Sequence, residues 1–225
     1  MKGIFKRAMG AALCLAAMAT GAAADVVGTE GMYGDQYIHR ILAPNGQELY
    51  YTAKEKDEWM QIKDVNFDGV DDIVVTTALG AGNAFYAFFV WDGEKYVRAT
   101  YNAGEDTGIA NYELYPELGL VYAGSSDGFA GALHHRYLYR WEGAELLCMR
   151  MAIAEEHTQW DFDSASGVTL ATQDGRIHAR VLEPVYSETD GRRDEVLWEE
   201  IVTLEDYERL EIQKQEDEML WSSLR

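Results

Sequence analysis

Between Val26 and Thr203 short apolar or aromatic runs alternate with the turn dipeptides Asn45-Gly46, Asp92-Gly93, Glu142-Gly143 and Asp174-Gly175. Glycine, helped by Asn or Asp, tolerates the positive φ angles of tight reversing turns, so this rhythm predicts antiparallel hairpins. The run from Tyr37 to Leu42 is answered across Asn45-Gly46 by Leu49-Tyr50-Tyr51. Phe85-Tyr86-Ala87-Phe88-Phe89-Val90-Trp91 is apolar on both of its strand faces and should therefore be covered on both sides. A second copy follows 50 residues later, with Trp141 matching Trp91 and Gly143 matching Gly93. Between the copies, Tyr112 to Tyr115 and Leu120 to Ala123 flank Pro116-Glu117-Leu118-Gly119 as a further hairpin. Hairpins repeating at about 40 to 50 residues predict an all-β fold, a small propeller-like array of antiparallel hairpins, with a β-sandwich as the alternative.

The pattern changes near the C-terminus. A last strand over Val196 to Val202 runs into Thr203, which can cap a helix, with Glu205 and Asp206 at the positive end of its dipole. Leu204, Tyr207 and Leu210 share one face. Farther on, Glu216-Asp217-Glu218 predicts a solvated, fraying helix. The expected organisation is a leader over 1–24, a β domain over 25–203 and a C-terminal acidic helix or tail over 204–225.

One stretch departs from the hairpin rhythm. Asp64, Asn66, Asp68 and Asp72 fall at positions 1, 3, 5 and 9 of a loop with Gly69 at position 6, which is the ligand spacing of a calcium loop. A hard cation takes about six to eight oxygens, and alternate residues on a tight loop can turn theirs inward. The Val70 carbonyl at position 7 would complete the set. An EF-hand needs a glutamate at position 12, where this chain has Val75 inside the run Ile73-Val74-Val75, so a calcium loop joining two strands is expected.

In Asp64-Val65-Asn66-Phe67-Asp68-Gly69-Val70-Asp71-Asp72 followed by an apolar strand, the chain resembles the FG-GAP or VCBS repeats of integrin α-chains and of many secreted bacterial proteins. Gly80-Ala81-Gly82-Asn83 and the aromatic strand ending at Trp91 extend the resemblance more loosely, to Met149. It implies a calcium-binding secreted β-propeller with Asp64, Asn66, Asp68 and Asp72 as metal ligands. Some bacterial members of that group are periplasmic inhibitors of peptidoglycan-cleaving enzymes, which implies an envelope hydrolase as protein partner. Trp160 to Gly167 echoes the loop, with Asp161 and Asp163 at positions 1 and 3 but Ala165 and Ser166 at positions 5 and 6, and reads as a degenerate copy that binds no metal.

Composition places this loop in an exported protein. Lys2, Lys6 and Arg7 precede an Ala/Leu/Met-rich stretch that ends in Ala22-Ala23-Ala24, the form of a cleaved secretory signal and too short to anchor in a bilayer. Removing 24 of the 225 residues removes three basic residues, so the formal charge goes from −20 to −23. Nucleic acid and anionic lipid would repel such a chain, whereas cations and basic proteins would be attracted. Cys14 leaves with the signal and Cys148 has no partner for a disulfide, so a periplasmic or extracellular fold must rely on its core, to which a bound metal would add.

Other chemistry is sparse. His39, His134, His135, His157 and His178 form no zinc-enzyme spacing, and His134 and His135 should face opposite ways on a strand. Gly124-Ser125-Ser126-Asp127-Gly128 satisfies G-x-S-x-G, but a nucleophile elbow needs a helix after Ser126, and Gly131 interrupts one. With 39 acidic residues a carboxylate pair for glycoside hydrolysis is available anywhere, so a carbohydrate-active enzyme of the envelope stands as the alternative to a binding module.

Overall fold

The computed structural model describes residues 24–56, 59–80, 82–102, 108–128, 133–163, 168–187, 191–208 and 211–222. All of the expected leader except Ala24 lies outside them. The strands are β1 (Asp25–Tyr33), β2 (Gln36–Leu42), β3 (Glu48–Ala53), β4 (Met60–Lys63), β5 (Asp72–Leu79), β6 (Ala84–Trp91), β7 (Tyr96–Arg98), β8 (Thr100–Tyr101), β9 (Ile109–Ala110), β10 (Glu113–Tyr115), β11 (Leu120–Gly128), β12 (Leu133–Glu142), β13 (Glu145–Asp163), β14 (Val168–Ser187) and β15 (Gly191–Thr203). Two helices close the described chain, α1 (Leu204–Glu208) and α2 (Glu211–Trp221). The protein is all-β with a short helical C-terminus.

Turn chemistry sets the connections. Gly46, Gly93, Gly119 and Gly143 all take positive φ at the reversals joining β2 to β3, β6 to β7, β10 to β11 and β12 to β13. Asp174-Gly175 behaves differently. It lies inside β14, where Gln173 pairs with Thr158 and Ile177 with Glu156, so the dipeptide forms a bulge in a continuous strand instead of a hairpin tip. Positive φ suits a bulge as well as a turn, and the local sequence does not separate them.

The strands form sheets of 3, 5 and 7 strands. The first is β1-β2-β3; the second is β4-β5-β6-β7 with β9 beside β6; the third runs β10 to β15 with β8 paired in parallel to β13. A propeller repeats four-stranded blades around an axis; here the sheets are unequal, and no closed propeller or barrel forms among the described residues.

The second sheet is the middle layer, and β6 shows why. Ala87 and Phe89 join Ile41, Leu49 and Tyr51 of the first sheet in one core. Phe88 and Val90 join Val121, Tyr139 and Cys148 of the third sheet in another. The doubly apolar pattern of this strand is therefore satisfied on both faces. A fully buried side chain of Phe88's kind contributes roughly 2 to 3 kcal/mol relative to exposure.

Helices α1 and α2 cover the far face of the third sheet. Tyr207 packs with Ala154, Ile177 and Ala179, and Leu220 packs with Leu138, Ala152 and Val181. Thr203 Oγ1 accepts from the Asp206 N–H at 3.2 Å, the cap its position suggested. The acidic segment is not solvated throughout, although its sequence suggested it would be. Glu216 is fully buried, accepting from His134 Nε2 at 2.9 Å and the Tyr207 hydroxyl at 2.9 Å, with Arg136 Nη2 at 2.7 Å. Asp217 pairs with the other side of Arg136, and Trp221 packs its ring against Tyr115 and Tyr122.

Candidate metal loop and the cleft beside it

Lys63 of β4 pairs with Asp72 of β5, so the loop between them joins two adjacent antiparallel strands, as its spacing predicted. Short Asx bonds hold it. Asp64 Oδ1 accepts from the Phe67 N–H at 2.7 Å and its Oδ2 from the Gly69 N–H at 3.0 Å. Asn66 Oδ1 accepts from the Asp68 N–H at 3.1 Å, and Asp68 Oδ1 from the Val70 N–H at 2.7 Å. Gly69 sits at φ 85° and Phe67 at φ 66°, a left-handed conformation that costs a bulky residue energy. Packing of Phe67 against the core between the second and third sheets holds it there.

Asp72 differs from the other three. It is fully buried, its Oδ2 accepting from the Val65 N–H at 3.0 Å and its Oδ1 from the Trp91 N–H at 2.9 Å. It thus pins both the loop and the end of β6. Burial raises its pKa to about 6; the two backbone bonds work against that rise, and the charge of Asp68 adds to it. Among the described residues no Lys, Arg or His forms an ion pair with Asp64, Asp68 or Asp72.

The donor set suits a hard cation in kind, being oxygen throughout: Asp64, Asn66 and Asp68 side chains, the Val70 carbonyl and Asp72. Each carboxylate oxygen that accepts one N–H keeps a second lone pair. Among the described residues, no three His, Cys, Asp or Glu side chains converge as a ligand group, so Asp64, Asp68 and Asp72 are not gathered into a three-carboxylate site.

Beside the loop lies an open cleft of about 590 Å³, lined by Asn66, Asp68, Val70, Trp91, Asp92 and Trp141 among others. The two tryptophans are the matched positions of the internal repeat, carried by β6 and β12 in different sheets. The indole N–H of Trp141 donates to the Val65 carbonyl at 2.6 Å, and the ring lies 6.0 Å from Phe88. The Trp141 indole is thereby tied to the loop through Val65, whereas Trp91 is tied to it through its backbone N–H to Asp72 and packs its ring on Tyr96, 5.2 Å between centroids. The repeat signalled both residues; only the packing of the sheets shows that they share a cleft.

The remaining candidates are placed as follows. Ser126 lies in β11, which is followed by β12, so no described helix follows it as an elbow would require. It is directly opposite His134 and lines a second cavity, about 290 Å³, with Tyr122, Arg136 and Asp217. His134 faces Glu216 whereas His135 faces Glu155 at 3.2 Å, the opposite orientations expected of strand neighbours. Asp161 and Asp163 of the degenerate copy fall at the end of β13, and Ser164 to Gly167 lie outside the described residues. The thiol of Cys148 is buried, which pushes its pKa up to about 12 and leaves it unreactive. No helix among the described residues is long and apolar enough to cross a membrane.

No known protein family matches the chain, and no curated protein does. Among solved structures, a type IV secretion system related protein of Xanthomonas aligns over 76% of this chain and 87% of its own, with 12% identity and a TM-score of 0.41. A likeness that loose carries neither site nor function across.

Proposed function

We propose that this chain is an exported binding module whose loop at 64–72 takes one calcium ion and whose partner is a protein of the cell envelope. The observation that supports the metal is the buried Asp72 carboxylate, raised in pKa and in no ion pair with a described Lys, Arg or His, at the end of a loop whose other oxygens are set by Asx turns. Bound there, the ion would supply the positive charge that the loop lacks. Asp64, Asn66, Asp68, the Val70 carbonyl and Asp72 would hold it, and through Asp72 the loop would lock to β6.

The partner class rests on the resemblance to secreted calcium-binding repeat proteins, some of which inhibit peptidoglycan-cleaving enzymes, and on the acidic balance of the chain. Calorimetric titration of the purified protein with calcium is expected to give one principal site that Asp68→Ala abolishes. In a turbidity assay on peptidoglycan the protein should slow lysis by an added lysozyme-like hydrolase. Lysis by the protein alone would overturn the binding reading in favour of a carbohydrate-active enzyme.

A further inference from the structure

We infer that the cleft between the metal loop and the two repeat tryptophans is the contact surface, and that its occupant is an arginine-bearing loop of a basic partner protein. This rests on the reading of the chain as a protein-binding module, but not on the calcium ion.

The walls and the rim of the cleft ask for different things from one ligand. Trp91 and Trp141 are half-buried; the Trp141 indole is held by its N–H bond to Val65 and the Trp91 ring by packing on Tyr96, so their exposed ring surface is organised before anything binds. On the rim Asp68 and Asp92 are exposed, Asn66 is half-buried, and none of the described lining residues is basic. Lys95, across the turn from Asp92, helps hold that carboxyl below its ordinary pKa, after the backbone N–H groups of Lys95 and Glu94, and does not line the cleft.

A guanidinium meets both demands. Its plane stacks on an indole face and its N–H fork pairs with a carboxylate, which neither an aliphatic side chain nor a neutral sugar does. An ammonium would satisfy the charge but not the stacking. About 590 Å³ is more than one side chain fills, so the arginine must arrive on a loop that occupies the rest of the cleft over Val70 and Ala144. The formal charge of −20 steers such a partner inward.

The test is a titration of ¹⁵N-labelled protein followed through the indole N–H signals of its 6 tryptophans. The probes are an acetylated Gly-Arg-Gly amide, the same peptide with citrulline in place of arginine, and a neutral chitin trisaccharide, each with and without calcium. Signals assigned to Trp91 and Trp141 by Trp91→Phe and Trp141→Phe should move with the arginine peptide. Citrulline should bind about fivefold more weakly or worse. Asp92→Asn keeps the oxygen that accepts from Glu94 and Lys95 but removes the charge, and should weaken the arginine peptide about three- to fivefold.

Equal response to citrulline, a silent cleft, or movement with the trisaccharide alone would each overturn the inference, the last in favour of a glycan. The calcium arms keep the two readings apart. A calcium-dependent rise in melting temperature with silent indoles removes the cleft and leaves the metal loop; an arginine response without that rise does the reverse.

Discussion

Asp72 and Glu216 are both fully buried carboxylates, and their surroundings shift them in opposite directions. For Glu216 burial alone would raise the pKa, but the His134 hydrogen bond, then the charges of Arg136 and His134, and the Tyr207 hydroxyl outweigh it and hold the group below its ordinary value. For Asp72 burial wins, because the bonds its carboxylate accepts come from the backbone N–H groups of Val65 and Trp91 and its charged neighbour is another carboxylate, Asp68. Burying an ionised carboxylate costs several kcal/mol unless a counter-charge is present. The C-terminal helix carries its carboxylate to the Arg136 guanidinium already on β12, whereas the 64–72 loop would take the proposed ion from solution. That asymmetry is the physical case for a metal at the loop and against one at the helix.

The largest effect should come from removing the satisfied member. Glu216→Ala leaves Arg136 with Asp217 alone and strips His134 and Tyr207 of their acceptor, so a loss of about 3 kcal/mol is expected in urea unfolding. Undocking of α2 would free Trp221 from Tyr115 and Tyr122 and change its fluorescence. A loss below about 1 kcal/mol would show that apolar contacts, not the polar cluster, hold the helix. Next in size is calcium itself. At about 100 times its dissociation constant, an ion bound only by the native protein stabilises by roughly 2.7 kcal/mol, read as a rise in melting temperature that Asp68→Ala abolishes.

The same comparison predicts opposite pH dependences. Glu216, with its folded pKa depressed, contributes stability that is present above the unfolded value near 4.5 and is lost as pH falls below it. Asp72, raised from 3.8 to about 6, binds its proton more tightly in the folded state. Its contribution in metal-free protein is therefore greatest below pH 4 and declines as pH rises to 6, by an amount on the order of 1 to 3 kcal/mol. Saturating calcium should erase that decline, because the ionised form then has its counter-charge. Urea midpoints between pH 4 and 7, with chelator and with calcium, measure both; identical slopes in the two series would remove the cation from the loop.

How much of this could be read from the chain follows the range of the interactions involved. The 64–72 loop, its flanking strands and the hairpins at Gly46, Gly93, Gly119 and Gly143 were all legible, since each depends on residues a few positions apart. The doubly covered β6 was legible from its pattern alone. Glu216 was not: among acidic neighbours on a short helix it looks like a solvated residue, and its partners His134 and Arg136 lie about eighty positions away on another element. The layered stacking of three unequal sheets was hidden for the same reason. A repeat of similar hairpins shows that the units are alike but not how they pack, and the two matched copies ended in different sheets around one cleft.

The smallest predicted effect is the most local. Gly69 sits at φ 85°, and a Cβ built there meets nothing within 4 Å, so Gly69→Ala adds backbone strain without a clash. That strain is worth roughly 1 kcal/mol. In metal-free protein the cost should appear as a small drop in the urea midpoint with no change elsewhere. With calcium present the gap should widen if binding requires the native turn, because its N–H bond to Asp64 Oδ2 fixes one of the oxygens offered to the ion. A loop that only reverses the chain would show the same difference with and without the ion, so one substitution at an open position separates a turn that holds a cation from a turn that does not.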